Sequence, residues 1–333
     1  MLVNLQIIVT ILQSDYTIMS SNSINKNPYI LDLIYDKIAF TFPIRKRDRL
    51  SVINIINDPE FHSFFNRRVY GYTGGRYRNN YQFTIHKGNT IELSLYPINS
   101  HHNFLRLEYN PNKLGIKGCV KLRKFLISLL GIDRVKEIYF KASVTRLDLT
   151  LDIHNLKPYY YIHKPKVVQS SIYRDDNHII SQILGSNRSS TRVTLYDKNA
   201  EQATKGRGNA LVVNNGSSTP HQRLEIRLRE LNCSMAGLNG DLLQELEKIN
   251  FFHKSFMRDD RFSDKFKNLV YRQGLNAVFK KVNKTNPNKA KCYRRYLEDY
   301  RATIFDVDKL DFLASHQKAL GSLLHPDYKD RLN

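Results

Sequence analysis

The sequence predicts an α+β fold, a largely antiparallel sheet followed by a helical C-terminal part. Three observations predict it. Polar and apolar residues alternate strictly in several separate runs, the pattern of half-buried strands. Two of those runs flank Lys87-Gly88-Asn89, a hairpin signal. Beyond Leu231 the pattern changes to segments with helical character.

Taken in order, Leu2–Leu12 is apolar but short, and Asn4 and Gln6 interrupt it. No basic residue precedes it, so it reads as neither a signal peptide nor a membrane span. Met19 opens the polar run Ser20–Asn27, and residues 1–27 read as an extension outside the fold. Ile38–Phe42 reads as a strand. Leu50–Phe65 has apolar residues at helical spacing, and Pro59 divides it into two short helices. Tyr70–Tyr81 is a Gly- and Arg-rich loop with its turn at Gly74-Gly75. It reads equally as a solvated loop or as backbone contacts from Arg76, Tyr77 and Arg78.

Phe83–His86, Thr90–Leu95 and Phe104–Tyr109 form a run of three strands. Lys117–Leu130 carries Val120, Leu122, Phe125, Leu126 and Leu129 on one helical face and stops at Gly131. Lys136–Phe140 then leads into the central strand, Val144–Ile153. Further strands are expected at His178–Leu184, Thr191–Lys198 and His221–Glu230, with a turn-rich connection over Lys205–Pro220. Helices are expected at Asp241–Ile249, Ser263–Tyr271, Leu275–Val282 and Lys291–Ile304. The division is therefore 28–235 for an α+β domain, 236–305 for a helical region and 306–333 for a C-terminal tail.

The chain of 333 residues carries a formal net charge of +21. Such a charge opposes compaction and marks a polyanionic partner, nucleic acid before an anionic membrane surface. Several of the 20 Tyr sit among cations, as in Tyr293-Arg294-Arg295-Tyr296, which suits base stacking beside phosphate contacts. The three cysteines, Cys119, Cys233 and Cys292, lie far apart. They suggest a reduced, cytoplasmic compartment and argue against a cysteine zinc site.

The central strand places Arg146, Asp148, Thr150 and Asp152 on one face and Leu147, Leu149, Leu151 and Ile153 on the other. Thr191–Lys198 places Arg192, Thr194, Tyr196 and Lys198 together, and His221–Glu230 does so for Arg223, Glu225, Arg227 and Arg229. If these strands share a sheet, carboxylates, one phenol and cations meet on a single polar surface. That combination points to metal-assisted phosphoryl transfer. A phenol must lose its proton to attack phosphorus. Hard cations such as Mg²⁺ or Mn²⁺ prefer carboxylate oxygens, which Asp148, Asp152 and Glu225 supply. Lys198 is placed to lower the pKa of Tyr196, and Arg223 and Arg227 to clamp a phosphate. The plainer reading of each strand alone is a solvated face with surface ion pairs.

The order of Arg-Leu-Asp-Leu-Thr-Leu-Asp (146–152), Thr-Arg-Val-Thr-Leu-Tyr-Asp-Lys (191–198) and Arg-Leu-Glu-Ile-Arg-Leu (223–228) resembles a known group. It is similar to the rolling-circle replication initiators of plasmids and filamentous phages, the replication initiation factor family. Gly185–Ser190 and Phe104–Lys113 add to the resemblance, which spans about Phe104–Glu230. It implies a nickase that cuts one strand at an origin through a 5′-phosphotyrosine link on Tyr196. Tyr159, Tyr160, Tyr161 and Tyr173 are rival nucleophiles. Asp148, Glu225 and Asp152 would bind the metal.

The partner implied is origin DNA, double-stranded or a hairpin and then single-stranded, with room for a host helicase. There is no His-hydrophobe-His triad, which separates the chain from the better-known initiators. Gln273-Gly274-Leu275 resembles the turn of a helix-turn-helix. Lys281–Arg295 has six basic and no acidic residues, among them Lys281, Lys291, Arg294 and Arg295, and reads as a DNA contact. The other classes are a non-catalytic DNA- or RNA-binding protein and a tyrosine recombinase. The second of these lacks its spaced Arg and His-x-x-Arg set.

Overall fold

The computed structural model describes residues 29–65, 67–70, 76–175, 178–205, 219–321 and 323. The expected N-terminal extension, Gly74-Gly75 and most of the Lys205–Pro220 connection lie outside the described residues.

The fold is α+β, built on a ten-stranded, wholly antiparallel sheet. Its strands are β1 (Ile30–Phe42), β2 (Arg67–Tyr70), β3 (Tyr77–His86), β4 (Asn89–Pro97), β5 (Leu105–Tyr109) and β6 (Ser143–His154). With them run β8 (Ser170–Asp175), β9 (His178–Leu184), β10 (Thr191–Asp197) and β11 (His221–Ser234). The order across the sheet is β2-β3-β4-β5-β1-β6-β11-β10-β9-β8, so the expected central strand is central. The β3–β4 hairpin turns at Lys87 and Gly88, both in the left-handed region (φ 47° and 77°), as a tight two-residue turn requires.

Helices cover the apolar face. Pro59 separates α1 (Arg49–Asn57) from α2 (Pro59–Phe64), and Asp58 caps the second by accepting the Glu60 amide at 2.8 Å. α3 (Pro111–Leu130) begins earlier than its apolar spacing predicts, because Asn110 caps it and Pro111 opens it. Gly115 kinks it (φ 61°). Residues expected to lead into the central strand form α4 (Ile132–Lys141) instead, with Val135 and Ile138 buried one turn apart and Glu137 paired with Lys141 at 2.9 Å. Leu147, Leu149, Leu151 and Ile153 pack in this layer with Leu122, Phe125 and Leu126.

The C-terminal part is not all helical. Beside α6 (Asp264–Thr285) and α7 (Pro287–Glu298) it holds β12 (Asn250–His253) and β13 (Arg301–Ala302), which join β7 (Tyr160–His163) in a three-stranded sheet. Phe251 and Phe252 fit two cores at once, which the helical reading of the region overlooked. Phe251 packs with the main core and Phe252 with an aromatic cluster around Phe256, Phe262, Phe266 and Tyr293. Gln273-Gly274-Leu275 is a kink inside α6, not a turn between two helices. Gly274 has φ 80°, and one hydroxyl of β8 serves both halves: Ser170 Oγ donates to the Gln273 carbonyl (2.6 Å) and accepts from the Ala277 amide (2.9 Å). The tail is also tied down, since Ala319, Leu320 and Leu323 are buried in the main core. Among the described residues no helix is long and apolar enough to cross a membrane.

Candidate active site

Strands β6, β11 and β10 lie side by side, and their polar residues fall on the same face in register. Asp152 faces Arg223, which faces Tyr196. Thr150 faces Glu225, which faces Thr194. Asp148 faces Arg227, which faces Arg192. Residues directly opposite on one face hold their Cβ atoms about 5 Å apart. The strict alternation of all three segments makes this so, because a one-residue slip would turn each leucine row to the polar side. Arg146, Asp148, Asp152, Arg192, Tyr196, Arg223, Glu225 and Arg227 therefore share one surface. Lys198 opens α5 (Lys198–Lys205) instead of ending the strand.

The reactive pair on this surface is Tyr196 and Glu225. The phenol donates to Glu225 Oε1 at 2.8 Å. Burial and then the Glu225 charge push the tyrosine well above its ordinary value, against a smaller opposing effect of Arg223. Burial raises Glu225 as well, and the nearby carboxylates of Asp36 and Asp148 add to this against the hydrogen bond from Tyr196. At neutral pH the phenol keeps its proton and points it at a carboxylate of unusually high basicity. The cation expected to assist does not do so. Lys198 Nζ pairs with Glu201 and sits 5.7 Å over the Tyr196 ring. Arg223, directly opposite, is the cation that favours the phenolate.

The other two carboxylates have cationic partners. Asp152 takes a bidentate grip from Arg223 (2.6 and 2.6 Å) and lies 3.1 Å from His221 Nε2. Asp148 accepts from Arg146 at 2.8 and 2.5 Å and lies 3.5 Å from Arg227. The two are four residues apart on one strand, so their backbones stand about 13 Å apart. One cation with bonds of about 2.1 Å cannot draw on both. Asp148, Asp152 and Glu225 thus do not fit a single Mg²⁺ or Mn²⁺ cage, and among the described residues no three His, Cys, Asp or Glu side chains form one.

The structure also adds groups that the sequence did not single out. Lys37 of β1 and Glu108 of β5 extend the network, and Glu108 accepts from Lys37 (2.7 Å), Arg146 (3.2 Å) and Arg106. The signal was present in Arg106 and Glu108, which form the polar side of the strand expected at Phe104–Tyr109. His221 stacks on His154 (4.3 Å between ring centres) next to Asp152. Of the rival nucleophiles, Tyr161 is buried and accepts from Arg174 (2.7 Å), and Tyr160 is pushed up to about 12, chiefly by burial. Tyr159 lies under Lys254, and Tyr173 stands exposed on the edge strand β8.

Among the expected DNA contacts, Arg192 Nε is buried without a hydrogen-bond partner among the described residues. Lys281, Lys291, Arg294 and Arg295 are exposed on α6 and α7. Arg294 also lies 5.0 Å over Phe279.

No family model matches the chain, and no curated protein does. Among solved structures it is similar to a rolling-circle replication initiator protein from Geobacillus stearothermophilus, at 16% identity and a TM-score of 0.37. The alignment covers 78% of this chain and 97% of that one. A TM-score of that size leaves the chemistry of this chain to rest on its own residues.

Proposed function

We propose that the chain nicks one strand of DNA at a replication origin of a plasmid or phage and so starts rolling-circle replication. The observation that carries this reading is the 2.8 Å hydrogen bond from Tyr196 to Glu225, set on a sheet face lined with arginines in a chain of net charge +21. In the proposed step the Tyr196 oxygen attacks the scissile phosphorus while its proton passes to Glu225. The bond from phosphorus to the 3′ oxygen breaks, and that oxygen takes a proton from water. The product is a 5′-phosphotyrosine ester and a free 3′-OH that can prime synthesis. The ester keeps the energy of the broken bond, so a later 3′-OH can reseal the strand.

General-base help of this kind contributes about 10²–10⁴-fold. Arg223 is held by Asp152 beside the phenol, which fixes a positive charge where the phenolate develops. Arg192, whose Nε has no hydrogen-bond partner among the described residues, supplies phosphate contact. The resemblance also implies a divalent cation, Mg²⁺ or Mn²⁺, for which the described carboxylates form no single cage.

The alternative, a protein that holds DNA or RNA without cutting it, keeps the basic surface and leaves the Tyr196–Glu225 pair without a role. Incubation with supercoiled DNA carrying the cognate origin separates the two. Nicked circles with protein attached to the 5′ end support the nickase. Binding without cleavage, with Mg²⁺ or Mn²⁺ supplied, rejects it.

A further inference from the structure

A cleft of about 580 Å³ opens where the second half of α6 passes the edge of the large sheet. Arg192 enters it from β10, and Lys280, Lys281 and Lys284 from α6. Tyr173 of β8 and the Gly185-Ser186 turn complete the walls, and no described residue lining it is acidic. Tyr173 is 57% exposed, and Lys280, Lys281 and Lys284 are exposed as well. Arg192 Nε, buried and without a hydrogen-bond partner among the described residues, lies in the same wall.

The walls are fixed in place. Ser170 ties α6 to β8 through two hydrogen bonds. Gly185 has φ 86°, and a Cβ there would lie 2.7 Å from the Thr191 carbonyl oxygen, so the turn takes glycine. Arg192 connects the cleft to the nucleophile, since it precedes Tyr196 by four residues on the same strand face, about 13 Å along the strand.

We propose that this cleft binds a short single-stranded segment of DNA, with phosphates on the four cations and an unpaired base stacked on Tyr173. Charge selects a polyanion, and the remaining features select an unpaired strand. The volume lies in the range of pockets that enclose one ligand, about 300–1,000 Å³. A duplex is a convex cylinder with its base faces covered by their neighbours, whereas an unpaired base has a free face for an aromatic ring. The position rests on the nicking reading, in which the bound segment is the strand that reaches Tyr196. The binding itself needs no cleavage.

Fluorescence anisotropy with the full chain tests it, with a short labelled oligothymidine and a blunt-ended duplex of two separate strands as probes. Tyr173→Ala weakens oligothymidine binding by at least about 5-fold, the lower end for loss of one stacked base, and leaves duplex binding as in the wild type. Tyr173→Phe keeps the ring and the affinity. Lys280→Ala with Lys284→Ala flattens the salt dependence of oligothymidine binding by about 1.4 in log–log slope, two contacts at about 0.7 each. Equal losses on both probes, no loss on either, or a Phe variant as weak as the Ala variant overturns the proposal. The two readings fail separately. Tyr173-dependent binding without any nicking keeps the cleft and rejects the nickase, and nicking with Tyr173→Ala fully competent for oligothymidine does the reverse.

Discussion

Two sets of acids interleave on the same sheet face and behave differently. In one, Glu108, Asp148 and Asp152 are matched by Lys37, Arg106, Arg146, Arg223 and Arg227. In the other, Glu225 has a phenol as its hydrogen-bond partner, and two further carboxylates raise its pKa. Burial alone would raise Glu108, Asp152 and Glu225. Cations reverse its effect at Glu108, which is held down to about 2, and at Asp152, which is also lowered. Nothing reverses it at Glu225. The ion-paired acids are a scaffold that holds Arg223 in place, and the unsaturated pair is where a proton has reason to move.

The largest effect is expected at the phenol. Tyr196→Phe should reduce nicking to background and abolish the denaturant-resistant protein–DNA adduct, with DNA binding close to wild type by gel shift. Persistent cleavage would move the nucleophile to another tyrosine. Next comes Glu225→Gln, which should lower the nicking rate by about 10²–10⁴-fold. It should also remove the rise in wild-type rate as pH climbs through the raised Glu225 value. Because the fold disfavours the ionised form of this acid, the same substitution should leave the melting temperature at pH 7 unchanged or higher. A marked loss of stability would make Glu225 part of the scaffold.

Asp152→Asn tests the ion-paired scaffold. It leaves Arg223 without its buried counter-charge and should cost about 3 kcal/mol, read as a fall in denaturation midpoint, with slower nicking following from a displaced Arg223. A variant as stable as the wild type would show that the pair is dispensable. A smaller effect is expected on acidification. Glu108 has a folded value of about 2 against an ordinary 4.5, so its contribution is complete above about pH 4.5 and is lost as the pH falls toward about 2. Thermal melts along that range should show Glu108→Gln losing less stability than the wild type. Parallel curves would remove the acid from the account. The smallest change is Gly274→Ala. It puts a Cβ 3.0 Å from Ser170 Oγ at φ 80° and should cost about 1–2 kcal/mol.

The sheet and its polar face were legible because period-two alternation states both the element and the side each residue takes. Alternation therefore places Asp148, Tyr196 and Glu225 on a common surface wherever their strands share a sheet. What alternation does not state is the partner across the sheet. The opposition of Arg223 to both Asp152 and Tyr196 depends on the order β6-β11-β10, and this turned an expected metal ligand into an arginine anchor. Lys198 falls one position beyond the strand: its side chain belongs to the first turn of a helix and meets Glu201. Short strands of mixed character, such as Asn250–His253 and Tyr160–His163, carry too few residues for a period to show. Their pairing is decided by aromatic packing between segments distant in sequence.

A sheet this wide ends in a strand whose outer amides and carbonyls invite a foreign strand to add on. With α6 clasped along β8 through Ser170 and through the Arg174 contact to the Tyr271 carbonyl, that border is occupied by the chain's own helix. The clasp that shapes the cleft thereby also shields this edge of the sheet from pairing with another copy of the chain.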